Sequence, residues 1–164
     1  MIKLFDNFIQ TQLFFHSSET KFDKFNFSYV NGVGLKYGYG IYFSKDRNHA
    51  KIYHSNFLYT CKLNTNNFVD WSDYISDNTL KKIKPILKKL DIKLNKYDKC
   101  FSTIYLKIKN RILDLRYPND IYDNNAAKDT TQLLLNVGIN GTYFENEYCV
   151  FDPNDILILK IEKI

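Results

Sequence analysis

The chain has 164 residues, of which 45% are hydrophobic and 25% charged; these are the proportions of a folded globular protein and exclude a disordered one. That length suits one domain, residues 1–164, able to bury a continuous core. A net charge of +5, from 23 basic and 18 acidic residues, favours anionic ligands but is too small for a dedicated nucleic-acid binder.

In chain order, Leu13-Phe14-Phe15 reads as a buried strand that ends at His16, with a polar turn starting at Ser17 and Ser18. Phe22, Phe25 and Phe27 punctuate a polar stretch, a loop held to the core by its aromatics. The segment VNGVGLKYGYGIYFS follows, with four glycines between Gly32 and Gly40. Glycine allows sharp turns and close approach of a ligand to the main chain, and the segment closes in a strand over Gly40 to Phe43. Ser44 is the expected N-cap of a helix from about Lys45 to Tyr53, and a strand around Phe57 to Leu63 comes next. Phe68 to Trp71 reads as extended, and a helix from Asn78 carries Leu80, Ile83, Leu87 and Leu90 on one face, with Pro85 as a kink. Its other face holds Lys81, Lys82, Lys84, Lys88 and Lys89, read as solvated, with contact to nucleic acid or an acidic partner as the alternative.

Phe101 to Ile108 fits helix or strand equally. Asp114, Arg116, Asp120 and Asp123 read as loop charges without a role. Ala126 to Asn136 reads as a helix stopped by Gly138, and three strand-like runs complete the chain: Gly141 to Phe144, Glu147 to Asp152 and Ile156 to Ile161. The pattern is α+β, with strands from both ends of the sequence meeting in a sheet that brings His16, Tyr42 and Glu147 onto neighbouring strands. Cys61, Cys100 and Cys149 lie far apart without metal-ligand spacing. His49 and His54 do not share a helical face, so no metal is expected. Met1 to Gln10 lacks the form of a signal peptide, and no run reaches the ~20 apolar residues of a membrane span. A soluble, cytoplasmic protein with no membrane partner is the expectation.

Three pieces in this order carry the chemistry: a strand ending in His16-Ser17-Ser18, the segment GYGIYFS with Tyr53 eleven positions beyond Tyr42, and NEYCVFD near the C-terminus. Together they resemble the ADP-ribosyltransferase superfamily, in its His-Tyr-Glu branch shared by poly(ADP-ribose) polymerases and diphtheria-type toxins. The layout is similar to the small ADP-ribosyltransferase domains of phage polyvalent proteins. The resemblance spans roughly Phe14 to Ile161, with its middle third unaligned. It implies a fold of two packed, mainly antiparallel sheets with flanking helices. It also implies NAD as co-substrate and mono-ADP-ribosylation of a macromolecular acceptor, a host protein if the source is a phage or virus.

NAD already contains a good leaving group, a cationic nicotinamide on a ribose carbon, so catalysis needs grip and charge stabilisation rather than a strong nucleophile. In the residue roles that the resemblance implies, Glu147 hydrogen-bonds the ribose 2′-hydroxyl and stabilises the oxocarbenium-like transition state. Tyr42 and Tyr53 sandwich the nicotinamide ring, and His16 orients the adenine-side ribose. Main-chain groups at Ser17 hold the carboxamide, the Ser18 hydroxyl touches the nicotinamide-side ribose, and Gly40 and Phe43 complete the cofactor-binding set. Ser17 replaces the glycine usual after the histidine, which crowds that contact. Glu145, two residues before Glu147, would share its face if both lay in a strand and is the candidate for positioning the acceptor. The rival readings are an NAD glycohydrolase, a catalytically silent NAD- or ADP-ribose-binding module, and an ADP-ribosyltransferase acting on nucleic acid.

Overall fold

The computed structural model describes residues 12–27, 36–52, 55–120 and 123–164. Its strands are β1 (Phe14–Ser18), β2 (Ile41–Ser44), β3 (Phe57–Leu63), β4 (Phe68–Asp70), β5 (Gly141–Phe144), β6 (Glu147–Val150) and β7 (Ile156–Lys163). The helices among the described residues are α1 (Arg47–Lys51), α2 (Asp77–Lys89), α3 (Phe101–Arg116) and α4 (Asn124–Asn136), with a 3-10 turn at Pro153–Asp155. None of these helices is long and apolar enough to cross a membrane.

The strands form one seven-stranded sheet in the order β4-β5-β6-β2-β1-β3-β7. Pairing is antiparallel except between β4 and β5, so the sheet is mixed. This corrects the expectation of two packed antiparallel sheets. The two halves, β4-β5-β6-β2 and β1-β3-β7, do not stack face to face: they join edge to edge through the single registered pair Phe15↔Ser44. What packs on the sheet is helix and loop.

Side-chain alternation assigns the two faces. Ile41 and Phe43 of β2 and Tyr148 and Val150 of β6 enter one core, with Phe14, Tyr59, Cys61 and Leu63, closed by Phe22 and Phe25 from the loop after β1. Tyr42 and Cys149 point the other way, into a core built by Ile83, Ile86 and Leu87 of α2, Phe101, Ile104 and Ile108 of α3, and Leu134 of α4. The first core is unusually aromatic: Phe22 stacks on Tyr59 at 4.4 Å, and Phe14 meets Tyr148 edge-on at 4.8 Å. Each such pair contributes about 0.5–1.5 kcal/mol beyond the area it buries.

Local chemistry explains where several boundaries differ from the sequence reading. Ser44 is not the cap of α1: its Oγ accepts from the Asp46 amide at 3.0 Å, and Asp46 is the N-cap, its Oδ1 accepting from the Asn48 amide at 2.8 Å. Asp, a stronger cap than a residue still held in the β2 ladder, starts the helix two residues later. Ser76 caps α2 in the same way, and the helix runs through Pro85, which sits on its solvent side. The ambiguous Phe101 segment is helical and runs to Arg116, so Asp114 and Arg116 are helix charges, and Arg116 pairs with Asp129 of α4 at 2.7 Å. Gly138 follows α4 with φ +74, the left-handed stop its position implies. The strand beginning at Glu147 ends at Val150, although the Phe151 amide still follows the β5–β6 register and donates to Asn140 O at 2.8 Å.

Candidate active site

The sheet is thinnest where β1 meets β2. β1 pairs along its whole length with β3, and β2 pairs along its whole length with β6, but β1 and β2 share only Phe15↔Ser44. On the far side of that pair the two strands are no longer registered. The His16 imidazole occupies this seam, its Nδ1 2.7 Å from the main-chain carbonyl of Tyr42. A carbonyl only accepts, so Nδ1 carries the proton and Nε2 is left as an acceptor. Burial lowers the His16 pKa from the ordinary histidine value, and the hydrogen bond to Tyr42 offsets only part of that. The ring is therefore neutral at pH 7.

Strand order places the predicted trio on three adjacent strands, β1 for His16, β2 for Tyr42 and β6 for Glu147. Their side chains are distributed over the two faces. Tyr42 opposes Cys149, and Ser44 opposes Glu147, so Tyr42 and Glu147 project to the same, helix-covered face as diagonal neighbours. The His16 ring lies on the aromatic face, 5.1 Å from Phe25 and 5.4 Å from Phe43. It reaches Tyr42 through the backbone, across the seam, and not ring to ring.

Tyr42 is fixed by both ends of its hydroxyl. The oxygen accepts from the Tyr37 amide at 2.9 Å and its proton goes to Gly38 O at 2.8 Å. Burial drives the phenol pKa far above the ordinary tyrosine value, so the Tyr42 hydroxyl keeps its proton. Gly38 makes this possible: its φ is +117, and a Cβ there would stand 2.9 Å from the Phe151 ring. Gly40 is needed for a different reason. A Cβ on it would stand 2.5 Å from Val150 O, so only glycine lets the chain enter β2 against β6.

Glu147 opens β6, with 27% of its side chain exposed, and its Oε1 lies 3.4 Å from His49 Nε2 on α1. Lys36 and Tyr37 are near as well: contact with Tyr37 first, and the Glu147 carboxylate after it, raises the Lys36 pKa, and burial first, then Glu147, raises that of Tyr37. The Tyr37 hydroxyl is fully buried and makes no hydrogen bond of good geometry. It is a buried polar atom beside the Glu147 carboxylate. From sequence His49 is weighed only as a metal ligand, and Tyr37 is not singled out. His49 is spaced for nothing local, and Tyr37 is one of 13 tyrosines, although its place in the glycine segment beside Tyr42 was a usable signal.

The remaining predicted residues separate. Ser17 and Ser18 lie on β1 opposite Leu58 and Phe57, and the Ser18 Oγ accepts from the Thr20 amide at 3.2 Å. Phe43 is buried in the aromatic core. Glu145 does not share a strand face with Glu147: it is exposed in the two-residue turn between β5 and β6, with φ +53. A hairpin this short needs a positive φ at its tip, and that requirement takes Glu145 out of the ladder. Tyr53, and His54 beside it, lie outside the described residues. Compared with known proteins, the chain matches no family model, no curated protein and no solved structure.

Proposed function

We propose that the chain binds NAD across the seam between β1 and β2 and transfers its ADP-ribose to a macromolecular acceptor. The observation that carries this reading is the placement of His16, Tyr42 and Glu147 on three adjacent strands at the point where the ladder narrows to one residue pair. Three features of the site fit such a ligand. The free acceptor at His16 Nε2 suits a ribose hydroxyl. The Tyr42 ring, immobilised through its hydroxyl, suits a flat cationic ring. The Glu147 carboxylate, partly exposed at the head of β6, suits the 2′-hydroxyl of the second ribose.

In this mechanism the bond between the ribose C1′ and the nicotinamide nitrogen breaks, and its electron pair leaves with the nicotinamide. Glu147 stabilises the positive charge left on the ribose. The acceptor's nucleophilic atom then bonds to C1′ and gives up its proton. His16 and Tyr42 hold the two ends of the dinucleotide while this happens and exchange no proton themselves.

Hydrolysis, with water as the acceptor, is the second reading, favoured by the position of Glu145 in the turn and off the Glu147 face. A single experiment addresses both. Purified protein is incubated with NAD labelled in its adenylate part, with and without a cell lysate, and compared with Glu147→Gln. Transfer predicts nicotinamide release coupled to labelled macromolecules, with the variant's kcat about 100-fold lower. Nicotinamide release with only free ADP-ribose decides for hydrolysis. Equal rates for wild type and variant refute the role of Glu147.

A further inference from the structure

We propose that His49 is a positioning residue for Glu147, an inference that rests on the proposed NAD site and assigns the group that sets its carboxylate. A glutamate has three rotatable bonds, and at the first residue of a strand beside a two-residue turn little packing restrains it. For Glu147 to meet a ribose hydroxyl reproducibly, one oxygen has to be held so that the other is presented. His49 Nε2 stands 3.4 Å from Oε1, which leaves Oε2 for the ligand.

The contact is built by the surrounding backbone and is not a chance meeting of two surface side chains. Asp46 caps α1 and its Oδ1 accepts from the His49 amide itself at 3.4 Å, so the cap fixes the residue that carries the imidazole. The next link is at the corner between β2 and α1, where the Lys45 amide donates to Asn146 O at 2.9 Å. That bond ties the start of α1 to the turn immediately before Glu147. A third restraint is the Ser44↔Glu147 register pair, two residues before the cap. Thus the start of α1 and the β5–β6 hairpin are tied at adjacent points next to the imidazole–carboxylate contact. A helix of five residues has no stability of its own; its placement is determined by these bonds and by buried Ala50. The result is an imidazole nitrogen set beside one oxygen of the carboxylate that the proposed chemistry uses.

The test combines His49→Ala, His49→Gln and Glu147→Gln, with nicotinamide release giving kcat and KM and calorimetry giving NAD affinity. Positioning predicts that His49→Ala lowers kcat about 10-fold with NAD affinity changed less than twofold. His49→Gln, whose amide N–H can replace Nε2–H, should restore most of that loss. In the Glu147→Gln background, His49→Ala should change the residual rate less than twofold, because a residue that acts through the carboxylate has nothing left to act on. Additive losses in the double variant, or a wild-type kcat in His49→Ala, overturn the proposal while leaving the NAD site standing. Wild-type protein that neither binds NAD nor releases nicotinamide overturns the site reading, and this inference with it.

Discussion

Replacing Tyr37 by Phe should make the protein more stable, a direction opposite to that of most changes in a core. The Tyr37 side chain is 2% exposed and its hydroxyl has no hydrogen bond of good geometry. Burying an unpaired hydroxyl costs about 1–3 kcal/mol by mutational measures. Phenylalanine keeps the ring and hence its contacts with Trp71 at 5.8 Å and Phe144 at 5.8 Å. The two main-chain bonds at this residue, from its amide to the Tyr42 hydroxyl and from Thr142 Oγ1 to its carbonyl, do not involve the side chain. The expected gain is therefore about 1 kcal/mol, which for a chain of this size corresponds to roughly 2–4 °C in Tm. Tyr42→Phe is the matched control, since it deletes a hydroxyl that is bonded on both sides and strands the Tyr37 amide; it should cost about 1–3 kcal/mol. Urea denaturation at pH 7 with an unchanged m-value for each variant measures both. A lower Tm for Tyr37→Phe would refute the reasoning, because it would mean that the hydroxyl is paired in solution, with Lys36 or Glu147 as its partner.

Two further outcomes concern the seam and the entry to β2. The folded-state pKa of His16 is lowered by burial, so as pH falls below the ordinary value of ~6.5 the unfolded chain takes up a proton before the folded one does. Its contribution to stability is thus fully present above pH ~6.5 and is lost as pH falls through the lowered folded value; the slope of stability against pH in that window should be smaller in His16→Gln, and an unchanged slope in pH-dependent urea titrations would contradict the assignment. Gly40→Ala pushes a Cβ to 2.5 Å from Val150 O and 2.7 Å from Cys149 Sγ, a backbone clash expected to cost about 1–3 kcal/mol or more, visible as a lower urea midpoint; a midpoint equal to wild type would show that β2 can shift away from β6 at little cost.

Much of the local structure was legible from residue order, because it depends on neighbours in the chain. Apolar alternation marks β3, the 3.6-residue spacing of Leu80, Ile83, Leu87 and Leu90 marks α2, and Gly138 marks the end of α4. The placement of His16, Tyr42 and Glu147 on neighbouring strands could also be read from pattern. Boundaries failed where two short-range devices competed, as at Ser44 and Asp46, both able to cap α1 and separated only by whether the residue was still needed in the β2 ladder.

What tertiary structure decided was parity and proximity. A strand residue faces one side or the other according to cross-strand register, and a one-residue change inverts it. The pair Phe15↔Ser44 puts the His16 ring on the aromatic face, while Ser44↔Glu147 sends Glu147 to the helical one. No local signal encodes either pair. The same holds for one sheet in place of two, which turns on the single registered pair Phe15↔Ser44 between β1 and β2. It holds equally for His49 beside Glu147, joined by bonds between α1 and a hairpin almost 100 positions later. Residue order alone marks most of the strands and helices, since hydrogen bonding and side-chain period act over a few residues. Which face each side chain occupies, and which imidazole meets which carboxylate, was decided only when distant strands found their register.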